Sequence, residues 1–136
     1  MYREPRVVKF VKAEIIKEGA KCRARVELKR DPDRSYFGSA EGSCEEPENL
    51  RSVAQATANA LLQAAAAGGD PAGFEIRVNE LAVQKAFDKQ TVLVSVAGTY
   101  FNQQRDLLGL CVVEGDPVRS AALAVLNATN RFLGVG

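Results

Sequence analysis

Two decapeptides, RSVAQATANA at 51–60 and RSAALAVLNA at 119–128, share Arg, Ser, two Ala, Asn and a closing Ala at the same offsets. Each follows an expected strand-to-helix turn. An arginine and a serine beside the free N–H groups of a helix start make anion-binding chemistry. Ahead of the first copy stand Glu45, Glu46 and Glu48, which suit an ammonium group; ahead of the second stands Asp116-Pro117. The expected site is therefore one for a small zwitterion held between loops 38–49 and 109–116. Its anion lies toward the amides of Val118 and Arg119 and the side chains of Arg119 and Ser120, beside Asp116. Its cation lies toward Glu45, Glu46 or Glu48. Two plainer readings stay open: Arg51 and Arg119 form surface ion pairs with Glu48 and Glu114, or both loops are solvated turns.

Other chemistry finds little support. The chain has no histidine, which removes the commonest general base and the commonest transition-metal ligand. Nucleotide-binding glycine patterns, a P-loop and a nucleophile elbow are absent. Cys22, Cys44 and Cys111 are odd in number and widely spaced, with no CxxC, so they read as reduced thiols. The expectation is a non-catalytic protein with no cofactor and no metal. Eighteen basic and seventeen acidic residues are dispersed and give a net charge of +1, which argues against nucleic acid and membrane partners. The N-terminal MYREPRVVKF has no apolar core of a signal peptide, and no apolar run approaches the length of a spanning helix. The expected location is the cytoplasm.

The elements that must position these residues repeat as well. RVVKFVKAEIIKEG and FEIRVNELAVQKAF read as strands ending in turns, at Gly19-Ala20 and around Asp88-Lys89. Cys22, Ala24, Val26 and Leu28 alternate with charged residues, the period of a half-buried strand, and QTVLVSVAGTYF at 90–101 is the counterpart, with Val92, Val94 and Val96 on one face. Gly38 and Gly109 occupy matching places near the strand-to-helix turns. Asp116 before Pro117 starts a helix at Pro117. The first helix has two candidate starts, a capping box of Ser43 with Glu46 or a later start at Pro47 to Asn49. Leu50, Val53, Ala54, Leu61 and Ala65 form one helical stripe, and Val118, Ala121, Ala122, Val125, Thr129 and Phe132 the other. Gly68-Gly69 and Gly134 end the helices, and GGDPAG at 68–73 links the halves.

The chain, 1–136, is thus expected to be a single α+β domain. It is a duplicated βββα unit with pseudo-twofold symmetry, over about 7–67 and 74–133, its antiparallel sheets covered by helices. One copy of three strands and a helix would be marginal alone.

The run DPVRSAALAVLNATNRFL at 116–133 resembles the end of the C-terminal regulatory domain of the 2-isopropylmalate synthase family, and the resemblance extends from about Arg6 to Leu133. It implies a duplicated βββα module that binds a feedback amino acid and pairs with a second subunit, without the family's catalytic barrel. The expected function is a small-molecule-sensing or dimerisation module. The alternatives are a purely structural protein–protein interaction subunit and, behind it, an RNA-binding protein. Expected partners are a second copy of the chain, a small amino acid or related metabolite, and a partner enzyme. Val92, Val94, Val96, Leu108, Leu110 and Val112 are expected to supply the apolar surface for pairing.

Overall fold

The computed structural model describes residues 8–30, 34–67, 75–100 and 103–134. In chain order the elements are β1 (Val8–Glu18), β2 (Lys21–Arg30), β3 (Arg34–Ser43) and α1 (Glu48–Ala67), then β4 (Glu75–Ala86), β5 (Lys89–Tyr100), β6 (Gln103–Val112) and α2 (Pro117–Gly134). The protein is α+β, a βββα unit present twice, with antiparallel sheets ordered β1-β2-β3 (sheet A) and β4-β5-β6 (sheet B). The expected linker at 68–73 and the Gly68-Gly69 helix end lie outside the described residues. α2 ends at Gly134.

The repeat holds in detail. β1 bulges between Phe10 and Lys12, and β4 bulges between Val78 and Glu80, at matching positions. The first hairpin turns at Gly19 with φ 64°, and the second turns at Phe87 and Asp88, one residue earlier than expected, with φ 53° and 63°. Those two left-handed residues give the tight reversal that suits the strand twist.

Alternation makes the inner faces. Ala24, Val26 and Leu28 of β2 and Val92, Val94 and Val96 of β5 are all buried beneath the helices. Gly38 of β3 and Gly109 of β6 serve close packing rather than anion binding: a β-carbon on either would collide with the backbone of the covering helix, at Ala56 and Ala60 or at Ala124 and Ala128. The small residues of the decapeptides are what let each axis sit on its sheet. Burial on α1 extends beyond the expected stripe to Ala56, Thr57, Ala58, Ala60 and Ala64. The reason is tertiary: α1 packs on its own sheet and also on α2 and β4, while α2 packs on sheet B and on β1. Each repeat covers the face the other leaves open.

Three expectations need correction. Cys22 and Cys44 are joined in a disulfide, Cα atoms 5.0 Å apart, and only Cys111 is a free thiol. Two cysteines 22 residues apart carried no pairing signal, and only the hairpin register, which sets Cys22 opposite Gly42, brings them together. The capping box is not formed. Ser43 Oγ accepts the Glu45 N–H at 3.1 Å, and α1 begins at Glu48, with the Pro47 carbonyl accepting from Leu50 and Arg51 at 3.0 and 3.1 Å. Finally, Val92, Val94 and Val96 are core and supply no surface for pairing.

The outer faces of the two sheets differ. On sheet A the outward positions include Lys12, Glu14, Arg23, Arg25, Glu27 and Glu41 together with the exposed Ile16 and Phe37, the latter under Arg25, with ion pairs Arg23–Glu18 at 3.2 Å and Lys12–Glu14 at 3.4 Å. On sheet B they include Ala82, Leu93, Leu108, Leu110 and Val112 beside Arg77, Glu80 and Asp106. Leu108 is 80% exposed and Leu110 53%. Among the described residues no helix is long and apolar enough to cross a membrane.

Candidate functional site

The decapeptides place Arg51 and Arg119 in the first turns of α1 and α2, and both reach across to the first strand of the other repeat. The Arg51 guanidinium donates to the carbonyl of Asn79, the bulged residue of β4, at 3.2 Å. Arg119 lies over the ring of Phe10, beside the β1 bulge, 5.8 Å from its centroid. Neither forms the surface ion pair with Glu48 or Glu114. Ser52 and Ser120 each turn their hydroxyl back to a carbonyl four residues earlier, Glu48 and Asp116, both at 3.3 Å. Ser120 is buried, so its hydroxyl serves the helix start.

Asp116 caps α2 as its sequence position requires: Oδ1 accepts the Val118 N–H at 2.9 Å. That bond engages the amide assigned to a ligand anion. Glu45, Glu46 and Glu48 are exposed around the start of α1. Among the described residues, no hydrogen bond or ion pair joins these glutamates to Asp116, Val118, Arg119 or Ser120.

Two cavities flank Arg51. One, of about 340 Å³, is lined by Glu41, Gly42, Ser43, Glu48, Arg51, Ser52 and Gln55. The other, of about 310 Å³, is lined by Pro47, Glu48, Arg51 and the β4 run from Asn79 to Ala82. Both present one guanidinium against carboxylates, and neither includes residues of loop 109–116 or of the α2 start. Both openings therefore gather at α1 and β3 or β4. Arg51, Ser52 and Gln55 were open to discovery through the repeat, since they occupy the positions of Arg119, Ser120 and Leu123.

Gln55 ties the first cavity to the frame. Its Oε1 accepts the Val78 N–H at the β4 bulge at 3.2 Å, and its Nε2 donates to Asn59 Oδ1 at 3.1 Å. Asn59 Nδ2 in turn donates to the Ser39 carbonyl on β3 at 2.9 Å. One polar chain thus runs from the edge of sheet A through α1 to sheet B. The matching asparagines of the two repeats, Asn59 and Asn127, both bond edge strands.

Fold and site together define a duplicated βββα protein with a charged opening at the first helix start. Neither protein-family models nor curated proteins give a match to the chain.

Proposed function

We propose that the protein is a non-catalytic module that pairs with a second copy of itself and senses a small zwitterionic metabolite, in the manner of the regulatory domains of the 2-isopropylmalate synthase family. The observation that carries the reading is the leucine-bearing outer face of sheet B, with Leu108 80% exposed, in a molecule whose other sheet presents mainly charged residues around Ile16 and Phe37. Burying leucines from two such faces against each other is worth about 25 cal/mol per Å² removed from water. The cavities support the sensing half: a carboxylate toward Arg51 and an ammonium toward Glu48 or Glu41 use both signs of charge that line the larger one. Arg119, Ser120 and Asp116 form the matching helix start in the second repeat, where a partner enzyme or a second ligand group would be read.

Action in the cytoplasm belongs to the same proposal. The Cys22–Cys44 bridge must then persist or cycle in a reducing compartment.

Light scattering at micromolar concentration tests the pairing, with a dimer mass expected for the wild type and a monomer mass for the Leu108→Lys, Leu110→Lys variant. A monomeric wild type overturns it. A thermal-shift screen of amino acids and organic acids tests the sensing, since a ligand at 100 times its dissociation constant adds about 2.7 kcal/mol. The best binder must weaken in Arg51→Ala.

A further inference from the structure

We propose that the Cys22–Cys44 disulfide is a reversible latch that holds the β3–α1 loop, and with it the mouth of the larger cavity, in its closed arrangement. Cys22 lies on the inward face of β2, 6% exposed, opposite Gly42, which lines the cavity. Cys44 is half-buried and is the first residue of the loop between β3 and α1, flanked by the cavity residues Ser43 and Glu48. The bridge joins sheet and loop at the point where the wall of the cavity turns into the helix.

The second repeat supplies the comparison. The position matching Cys22 is Gln90, whose carbonyl accepts the Val113 N–H at 2.8 Å, and the loop that follows is closed by the Asp116 cap on Val118 at 2.9 Å. That corner holds by hydrogen bonds alone. The first loop's bonds, from Glu45 N–H to Ser43 Oγ at 3.1 Å and from Asn49 N–H to the Glu45 carbonyl at 2.9 Å, stay within residues 43–49, and Asn49 at the start of α1 keeps a buried Oδ1 without a hydrogen-bond partner among the described residues. A buried acceptor left without a donor disfavours the arrangement that hides it. The loop's own bonds shape it but do not tie it to β2; the bridge does, so opening the bridge releases the loop from the sheet.

The chemistry is thiol–disulfide exchange with a dithiol reductant. One thiolate of the reductant attacks Sγ of Cys44, the more accessible sulfur, forming a mixed disulfide and expelling the Cys22 thiolate, which takes up a proton. The second thiol of the reductant then attacks its own bridged sulfur, closing the reductant's disulfide and releasing Cys44 as a thiol. Two electrons and two protons pass from the dithiol to the protein. The latch does not depend on the identity of the ligand, so failure of the sensing proposal leaves it standing.

The test uses the full chain, oxidised with glutathione disulfide or reduced with dithiothreitol. Free thiols are counted by alkylation, and amide hydrogen exchange is followed by mass spectrometry. The oxidised protein should show one free thiol and the reduced protein three. Reduction should speed exchange across 44–52 by about tenfold or more while 113–120 keeps its rate, because only the first loop is released. The double variant Cys22→Ser, Cys44→Ser should match the reduced protein without any reductant. Three free thiols after oxidation, unchanged exchange at 44–52, or equal acceleration at 113–120 would each overturn the latch, the last by making the bridge a staple of the whole fold.

Discussion

Asn127 accepts the backbone N–H of Leu110 through Oδ1 at 3.1 Å, so a side chain of α2 occupies a donor on the free edge of β6. Asn59 does the complementary thing on β3, donating to the Ser39 carbonyl at 2.9 Å. Unpaired edge strands are templates for further strands, and here each edge is engaged by the helix above it. Replacing Asn127 with alanine is expected to cost about 1 kcal/mol by chemical denaturation, one net hydrogen bond. It should also raise the tendency to aggregate on concentration, measured by turbidity.

The two kinds of glycine separate in a second measurement. Gly109→Ala drives a methyl into the Ala124 carbonyl and to within 2.8 Å of the Ala128 nitrogen, backbone atoms that cannot swing aside. Gly19 has φ +64° with nothing near its missing side chain, so Gly19→Ala meets conformational strain alone. Expected losses are about 3 kcal/mol or more for Gly109→Ala and about 1 kcal/mol for Gly19→Ala. Thermal melts of the pair check the order.

Gln55→Leu installs the residue that the second repeat carries at this place, Leu123. It leaves the Val78 N–H at the β4 bulge without its acceptor and Asn59 without its donor. A loss of about 1–3 kcal/mol is expected from denaturation, and amide exchange at Val78 should accelerate more than at Ile76.

Phe87 sits at a hairpin tip with φ 53° and is 99% exposed. A bulky residue gains nothing there from burial and holds an unfavourable backbone region. Phe87→Asn should raise stability by about 0.5–1 kcal/mol, since asparagine tolerates that region. An unchanged or lower melting temperature would count against it.

What could be read beforehand was whatever depends on near neighbours. Asp116-Pro117 fixes a helix start within three residues, and β2 alternates its buried positions through Cys22, Ala24, Val26 and Leu28 as a half-buried strand must. Pro47 was harder: the Glu46–Pro47 bond is cis, and a Ser43–Glu46 capping pattern competed with it in sequence. The disulfide, the extra burial on α1 and the place of Gly38 beneath Ala56 all depend on register or on the other repeat, which local spacing does not encode. The expected zwitterion site spans both loops, its anion at Arg119 and Ser120 and its cation at Glu45, Glu46 or Glu48. The cavities gather at Arg51 because the loops ahead of the two helices differ, one closed by an aspartate cap and the other by sulfur.

The unlike outer faces of the sheets limit how far association can run. A molecule with adhesive leucines on both sheets would stack without end, each added copy presenting a fresh sticky side. Here sheet A meets water mainly with lysine, arginine and glutamate, with Ile16 and the Arg25-covered Phe37 set among them, so a pair joined through sheet B turns mostly charged faces outward. If copies pair through sheet B as proposed, the mainly charged face of sheet A disfavours growth beyond two.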